Sequence, residues 1–230
     1  MTLREAHLWR WSHSRHHTYT NWVGLDEEIQ VKRPATLLPV FCDFLFIVAG
    51  WEELKRIYLH AFGFITPNAK ILVPTSEIPK MIWSSRAYVA VMVGVVGSSI
   101  AIGSFLPIMY VVLPRFYGAW LHQIFSLTQH AGLAENKWDH RCNARTVYLN
   151  PIYSFLYLNM NYHIEHHIFP MVPFYALPKL HKAIKDQLPP PYRGVIEVYK
   201  EIIPALLKQW RDAHYYVRRP LPKESLQANT

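Results

Sequence analysis

Two pentapeptides of one spacing carry the chemistry: His13-Ser14-Arg15-His16-His17 and His163-Ile164-Glu165-His166-His167, both HxxHH. With 13 histidines among 230 residues, ~0.04 such matches are expected by chance, so two of them form a pattern. On a helix, positions i, i+3 and i+4 fall within about 100° of arc, and the three imidazoles project from one face. Imidazole is a borderline ligand that suits iron, zinc and copper. Two such faces supply more nitrogens than one tetrahedral zinc uses, which points to a dinuclear centre held by His13, His16, His17, His163, His166 and His167. Thr128-Gln129-His130-Ala131-Gly132 adds His130 at the end of a long apolar stretch, where it completes the site. Neither box is HExxH, so the metalloprotease pattern fails at the glutamate. A zinc hydrolase would hold zinc and need no reductant.

The second box has a helical context. Asn150 is an N-cap, Pro151 suits the first helical position, and Pro170 ends the run, which predicts one helix over residues 151–169 bearing Asn159, Asn161 and the box. Glu165 lies off the histidine face and is expected beside the metal, orienting a ligand or pairing with a neighbouring ion. His60, His140, His181 and His214 have no partner at i+3 or i+4 and read as surface residues. His122, roughly 80° around the helix from His130, either lines a substrate tunnel or packs between helices.

The rest of the chain says where these helices sit. At 51% hydrophobic and 17% charged, against about 25% charged for an ordinary domain, it has too much apolar surface for disorder. Residues 87–114 carry no charge, and about 18 such residues suffice for a membrane helix. With the weakly polar continuation to residue 129 they predict a transmembrane hairpin, about 87–129, turning at residues 103–107. That turn lacks Lys and Arg while both flanks are basic, which places both termini and the boxes in the cytosol. Arg115 must snorkel or face a polar interior.

Residues 34–51, with Asp43 in the middle, suit a re-entrant or interfacial helix. Residues 1–20 are polar, unlike a cleavable signal peptide. Residues 175–188 and 195–213 are amphipathic helices that lie on the bilayer or cap the site. Their lysines suit an acidic electron donor. The formal charge of +8 has no nucleic-acid motif behind it, and Cys42 and Cys142 form no CxxC pair. The expected fold class is an all-α integral membrane protein: a transmembrane helical hairpin plus a cytosolic helical cap carrying the histidine boxes.

The segments WRWSHSRHHTYTNWVGLDEE, SLTQHAGLAEN and NMNYHIEHHIFPMVPFYALPKLH resemble the membrane fatty-acid desaturase superfamily, from about residue 3 to about residue 222. The resemblance implies an oxidoreductase of lipid metabolism with two non-haem iron ions held by eight or nine histidines. It uses O2 as co-substrate to desaturate or hydroxylate a fatty-acyl or hydrocarbon-like substrate, with no catalytic group beyond the metal centre. His13, His16 and His17 match the family's second box, His163, His166 and His167 its third, and His130 the isolated ligand. Asp26, Glu28 and Asp139 stand at family-like positions, where they accept hydrogen bonds from ligand imidazoles or are solvated loop acids; Asn161 and Glu165 join them around the ligands.

The family's first box, HxxxH or HxxxxH, has no counterpart here. The expectation is one N-terminally truncated domain over 1–230, lacking two spans and two ligands. The alternative to an active enzyme is a non-catalytic fragment or pseudoenzyme of that family. Expected partners are the bilayer, the lipid-like substrate and an electron donor of ferredoxin or cytochrome b5 type, in the endoplasmic reticulum of a eukaryote or the inner membrane of a bacterium.

Overall fold

The computed structural model describes residues 3–222, so both ends of the expected 1–230 domain lie outside the described residues. Among those residues the chain is helical, with isolated bridges in place of strands. It divides into two compact units, Met1–Arg15 with Leu37–Gln123, and His16–Thr36 with Ile124–Thr230.

The first unit holds most of α1 (Ala6–Thr18), α2 (Leu37–Cys42), α3 (Ile47–Ala61), α4 (Pro67–Leu72), α5 (Ile78–Ala101), α6 (Pro114–Tyr117) and the start of α7 (Ala119–His130). Glu5 caps α1: its carboxylate accepts the backbone N–H of His7 at 3.1 Å and of Leu8 at 2.6 Å, donors a helix start otherwise leaves unpaired. Residues 34–51 are two elements rather than one, because Phe46 turns left-handed at φ 53° between α2 and α3. Asp43 accepts the N–H of Ala49 at 2.8 Å, so its charge serves the start of α3. Gly50 is required there, since a Cβ would come 2.8 Å from the Phe46 ring. The Arg115 guanidinium lies 4.4 Å over that same ring.

Helix α3 packs along α5 around Ile57, Met92 and Phe46. The stretch Thr75–Ala101 is the one helical segment among the described residues long and apolar enough to cross a membrane, and only 17% of its apolar window is buried. Val93, Val96 and Ile100 point outward, unlike a core helix of a soluble protein. The chain turns at Gly103, φ 60°, inside the expected turn. The second arm of the expected hairpin is not a continuous helix. A π turn at Ile108–Val112 gives way to α6 at Pro114, which lacks an N–H, and Gly118 separates α6 from α7.

The second unit holds the end of α1, the end of α7, α8 (His140–Asn143), α9 (Pro151–Leu156), α10 (His163–Ile168), α11 (Leu177–Ile184) and α12 (Val195–Arg211). The single helix expected over 151–169 is corrected here. Its start is as expected, with the Asn150 side chain accepting the N–H of Tyr153 at 2.8 Å. But α9 ends at Leu156, and Leu158 and Asn159 turn left-handed at φ 52° and 53°. Asn159 closes the turn by donating its N–H to the Ser154 carbonyl at 2.8 Å, the longer bond of a Schellman ending.

The physical reason for the break is Asn161. Its carbonyl accepts from Val147 N–H at 2.9 Å and its side-chain amide donates to Val147 carbonyl at 2.7 Å, a pairing a straight helix forbids. Helix α10 then restarts at His163 and stops at Ile168, ahead of Pro170. Ile164 anchors it against Ala144 and Leu188. Helices α11 and α12 lie within the two expected amphipathic segments. Along α12, Val198, Ile202, Ala205 and Leu206 are buried, while Ile196, Ile203, Leu207 and Trp210 are exposed.

Three of the four histidines expected on the surface are not exposed. His60 and His181 are buried and His140 is half-buried, while His214 is exposed.

Candidate metal centre

Within the second unit, His16 from α1, His130 from the last turn of α7, and His163 and His167 from α10 meet. One ring nitrogen from each lies within 4.8 Å of the other three. All four are buried, 2–9% exposed. The Nε2 atoms of His130 and His163 are 2.8 Å apart, and those of His163 and His167 are 3.1 Å apart.

The other ring nitrogens assign the tautomers. His16 donates Nδ1–H to Asp26 Oδ2 at 2.8 Å. His130 donates Nδ1–H to the Asn143 carbonyl at 2.7 Å. His167 reaches the Thr20 hydroxyl with Nδ1 at 3.0 Å, while that hydroxyl donates to the His16 carbonyl at 2.7 Å and so accepts from the ring. Each of these three imidazoles therefore turns an Nε2 lone pair inward. His163 Nδ1 is buried with no hydrogen-bond partner, and its single proton cannot satisfy the converging lone pairs at once. A cation satisfies them all, and ligand histidines held through their second nitrogen are the usual arrangement around a metal. The donor set fits such an ion.

The electrostatics agree. Burial, reinforced by the neighbouring imidazoles, pushes His163 and His167 well below the usual imidazole range. Burial first, then His16, lowers His130 to about 3. Neutral rings are the form that binds metal. At Asp26, burial works against ionisation. The hydrogen bond and attraction of His16 outweigh it, together with the backbone N–H groups of Glu28 and Asn21, and hold the carboxyl below its ordinary range.

Beside this cluster His17 and His166 face each other, rings 4.5 Å apart and nearly perpendicular, and the His17 and His167 rings are 4.4 Å apart. His13 belongs to the part of α1 in the first unit, one turn before His17, with its ring stacked on Trp9 at 5.0 Å.

The expected supporting residues divide. Asp26 holds a cluster histidine directly, and Glu28 supplies a backbone N–H to Asp26 at 2.8 Å. Asp139 is engaged by Arg141, which approaches to 2.7 Å. Asn161 holds the backbone of Val147. Glu165 accepts from Thr146 at 2.6 Å and pairs with His181.

Sequence reasoning missed Thr20, Asn143 and His181. Thr20 had one local signal, since a threonine four residues after His16 can bond back to its helical carbonyl. The other two act across long stretches of chain and gave none.

Residues 1–199 match the family model for fatty acid desaturase. Among curated proteins, the chain is 24% identical over 180 residues to the sphingolipid delta(4)-desaturase/C4-monooxygenase of Homo sapiens, covering 76% of this chain and 48% of the relative. It is 24% identical over 218 residues to the sn-1 linoleoyl-lipid 6-desaturase of Synechocystis sp., covering 78% of this chain and 58% of the relative. The chain thus spans about half the length of the curated relatives it matches. The matched residues 1–199 include His16, His130, His163 and His167, and the chain belongs to the fatty acid desaturase family.

Proposed function

We propose that the protein is an O2-dependent, di-iron membrane oxidoreductase that desaturates or hydroxylates a fatty-acyl or hydrocarbon-like chain. The observation that carries this is the convergence of four buried imidazoles, three of them with Nδ1 committed to Asp26, Asn143 and Thr20. His16, His130, His163 and His167 would hold one part of the centre; His13, His17 and His166 supply the remaining ligands. Iron bound there supplies the O2 chemistry that attacks an unactivated C–H bond, which no side chain can do alone.

The chain's own residues do the rest. Asp26 fixes the ring plane and tautomer of His16, the Asn143 carbonyl does so for His130, and the Thr20 hydroxyl for His167. The near-complete burial of the four rings excludes bulk water. The outward apolar face of Thr75–Ala101 supports anchoring in a bilayer, with the proposed second span following through α6 and α7. The exposed apolar stripe of α12 suits a lipid surface.

A lipid-borne acyl chain is the favoured substrate, since both relatives are named for lipid desaturation and the human one also for C4 oxygenation. Electrons come from a ferredoxin or cytochrome b5 type donor, with the boxes on the cytosolic side. The test is metal content together with reductant-dependent and O2-dependent oxidation of a lipid substrate by the protein in detergent or vesicles. About two iron atoms per chain, and loss of product in His130→Ala, support the proposal. Zinc in their place, or product unchanged in His130→Ala, contradicts it.

A further inference from the structure

Helix α10 carries three of the seven proposed ligands on six residues, too short to hold its own shape in water. One fastening is apolar, through Ile164 and Ile168 against Ala144, Leu188 and Ile184. The other is polar and buried. Glu165, 0% exposed, projects away from the ligands, accepts from the Thr146 hydroxyl at 2.6 Å and pairs through Oε1 with Nδ1 of His181 on α11. His181 in turn receives the Tyr148 hydroxyl at Nε2, 2.9 Å away. Every polar atom of the Glu165–His181 pair is thus used.

Apolar contacts tolerate sliding, because they are non-directional. A carboxylate held at both oxygens fixes the rotation of a helix about its axis. Rotation is what aims His163 and His167 at the same point.

We propose that His181 is a positioning residue for the metal centre: through Glu165 it sets the rotation of α10 so that the Nε2 atoms of His163 and His167 converge with that of His130. This rests on the metal reading given above. The chain Tyr148, His181, Glu165, Thr146 joins residues 33, 16 and 19 positions apart in sequence, and none of the four is itself a proposed ligand.

The test uses the full chain in detergent, metal-free, titrated with Co(II), whose visible spectrum reports ligand geometry without any turnover. His181→Ala, which acts on the ligands only through Glu165 and the helix that carries them, is expected to weaken Co(II) binding by about 10-fold, the lower end of the ~10–100-fold loss seen for groups bonded directly to a ligand, and to change the shape of the Co(II) bands. His181→Gln, whose amide can still donate to Glu165 and accept from Tyr148, is expected to restore both. Ile184→Ala loosens the same α10 and α11 contact without touching the polar chain. It is expected to lower the thermal midpoint of the metal-free protein while leaving the Co(II) bands in place.

Wild-type Co(II) binding and bands in His181→Ala overturn the proposal. So does an Ile184→Ala variant with the same spectral change as His181→Ala. A wild-type chain that takes up no Co(II), or a His130→Ala variant that binds it as well as wild type, instead contradicts the metal reading, and the positioning role falls with it.

Discussion

Both units bury histidine. In the first, the fully buried His60 near the end of α3 accepts at Nε2 from the hydroxyl of Thr66 at 3.0 Å and from that residue's backbone N–H at 3.4 Å, across the turn into α4. Both bonds are local, and the ring holds a turn closed. In the second unit, His16, His130 and His167 spend Nδ1 on the surrounding chain and point Nε2 at one another. Burial and a depressed pKa are common to His60, His130 and His167. What separates the two cases is therefore convergence: at His60 one nitrogen closes a local turn while Nδ1 has no hydrogen-bond partner, whereas in the second unit ring nitrogens of four histidines meet within 4.8 Å of one another.

The largest effect that would break this contrast is expected at the cluster. His163→Ala should remove more than the ~10–100-fold in metal affinity typical of a supporting residue, and with it the oxidised product, both read by metal analysis and product chromatography. A variant that keeps its metal would place His163 with His60.

Next is Asp26→Asn: Oδ2 takes both His16 Nδ1–H and the Asn21 N–H while Oδ1 takes the Glu28 N–H, so the single amide oxygen of Asn cannot serve all three donors and the charge facing His16 is lost. A loss of about 10–100-fold in metal affinity is expected, with folding retained by circular dichroism. An unchanged affinity would show that the tautomer of His16 needs no carboxylate.

The smallest effect is the control at His60. Burial, outweighing the attraction of Glu5, lowers its pKa below the ordinary imidazole value. The unfolded ring takes a proton near pH ~6.5 and the folded ring only at lower pH. The folded state then binds fewer protons, so the contribution is present above ~6.5 and is lost as pH falls. His60→Gln should flatten the fall in thermal midpoint below pH ~6.5 and leave metal affinity unchanged. A metal defect in that variant would erase the distinction between the two kinds of buried histidine.

The helical class, the HxxHH faces, the cap at Asn150 and the stop before Pro170 were legible because each is written within a few residues. The same holds for the turn at Gly103. The break between α9 and α10 was not, because Leu158 and Asn159 take left-handed conformations with no glycine to announce them, and the cause is the pairing of Asn161 with Val147, 14 residues away. His181 was misread for a related reason. Its partner is Glu165 on another helix, 16 residues back, so a search at i+3 and i+4 finds nothing. Spacing reveals which side chains share a face, whereas the donors and acceptors that fix their second nitrogens come from wherever the tertiary fold brings them.

The most direct test of the central claim is X-ray absorption at the iron edge of the iron-loaded wild-type protein. The account predicts a first shell dominated by nitrogen, with the outer-shell multiple scattering of several imidazoles, diminished in His130→Ala. Iron bound without imidazole scattering, or a protein that excludes iron and fills with zinc, would contradict it.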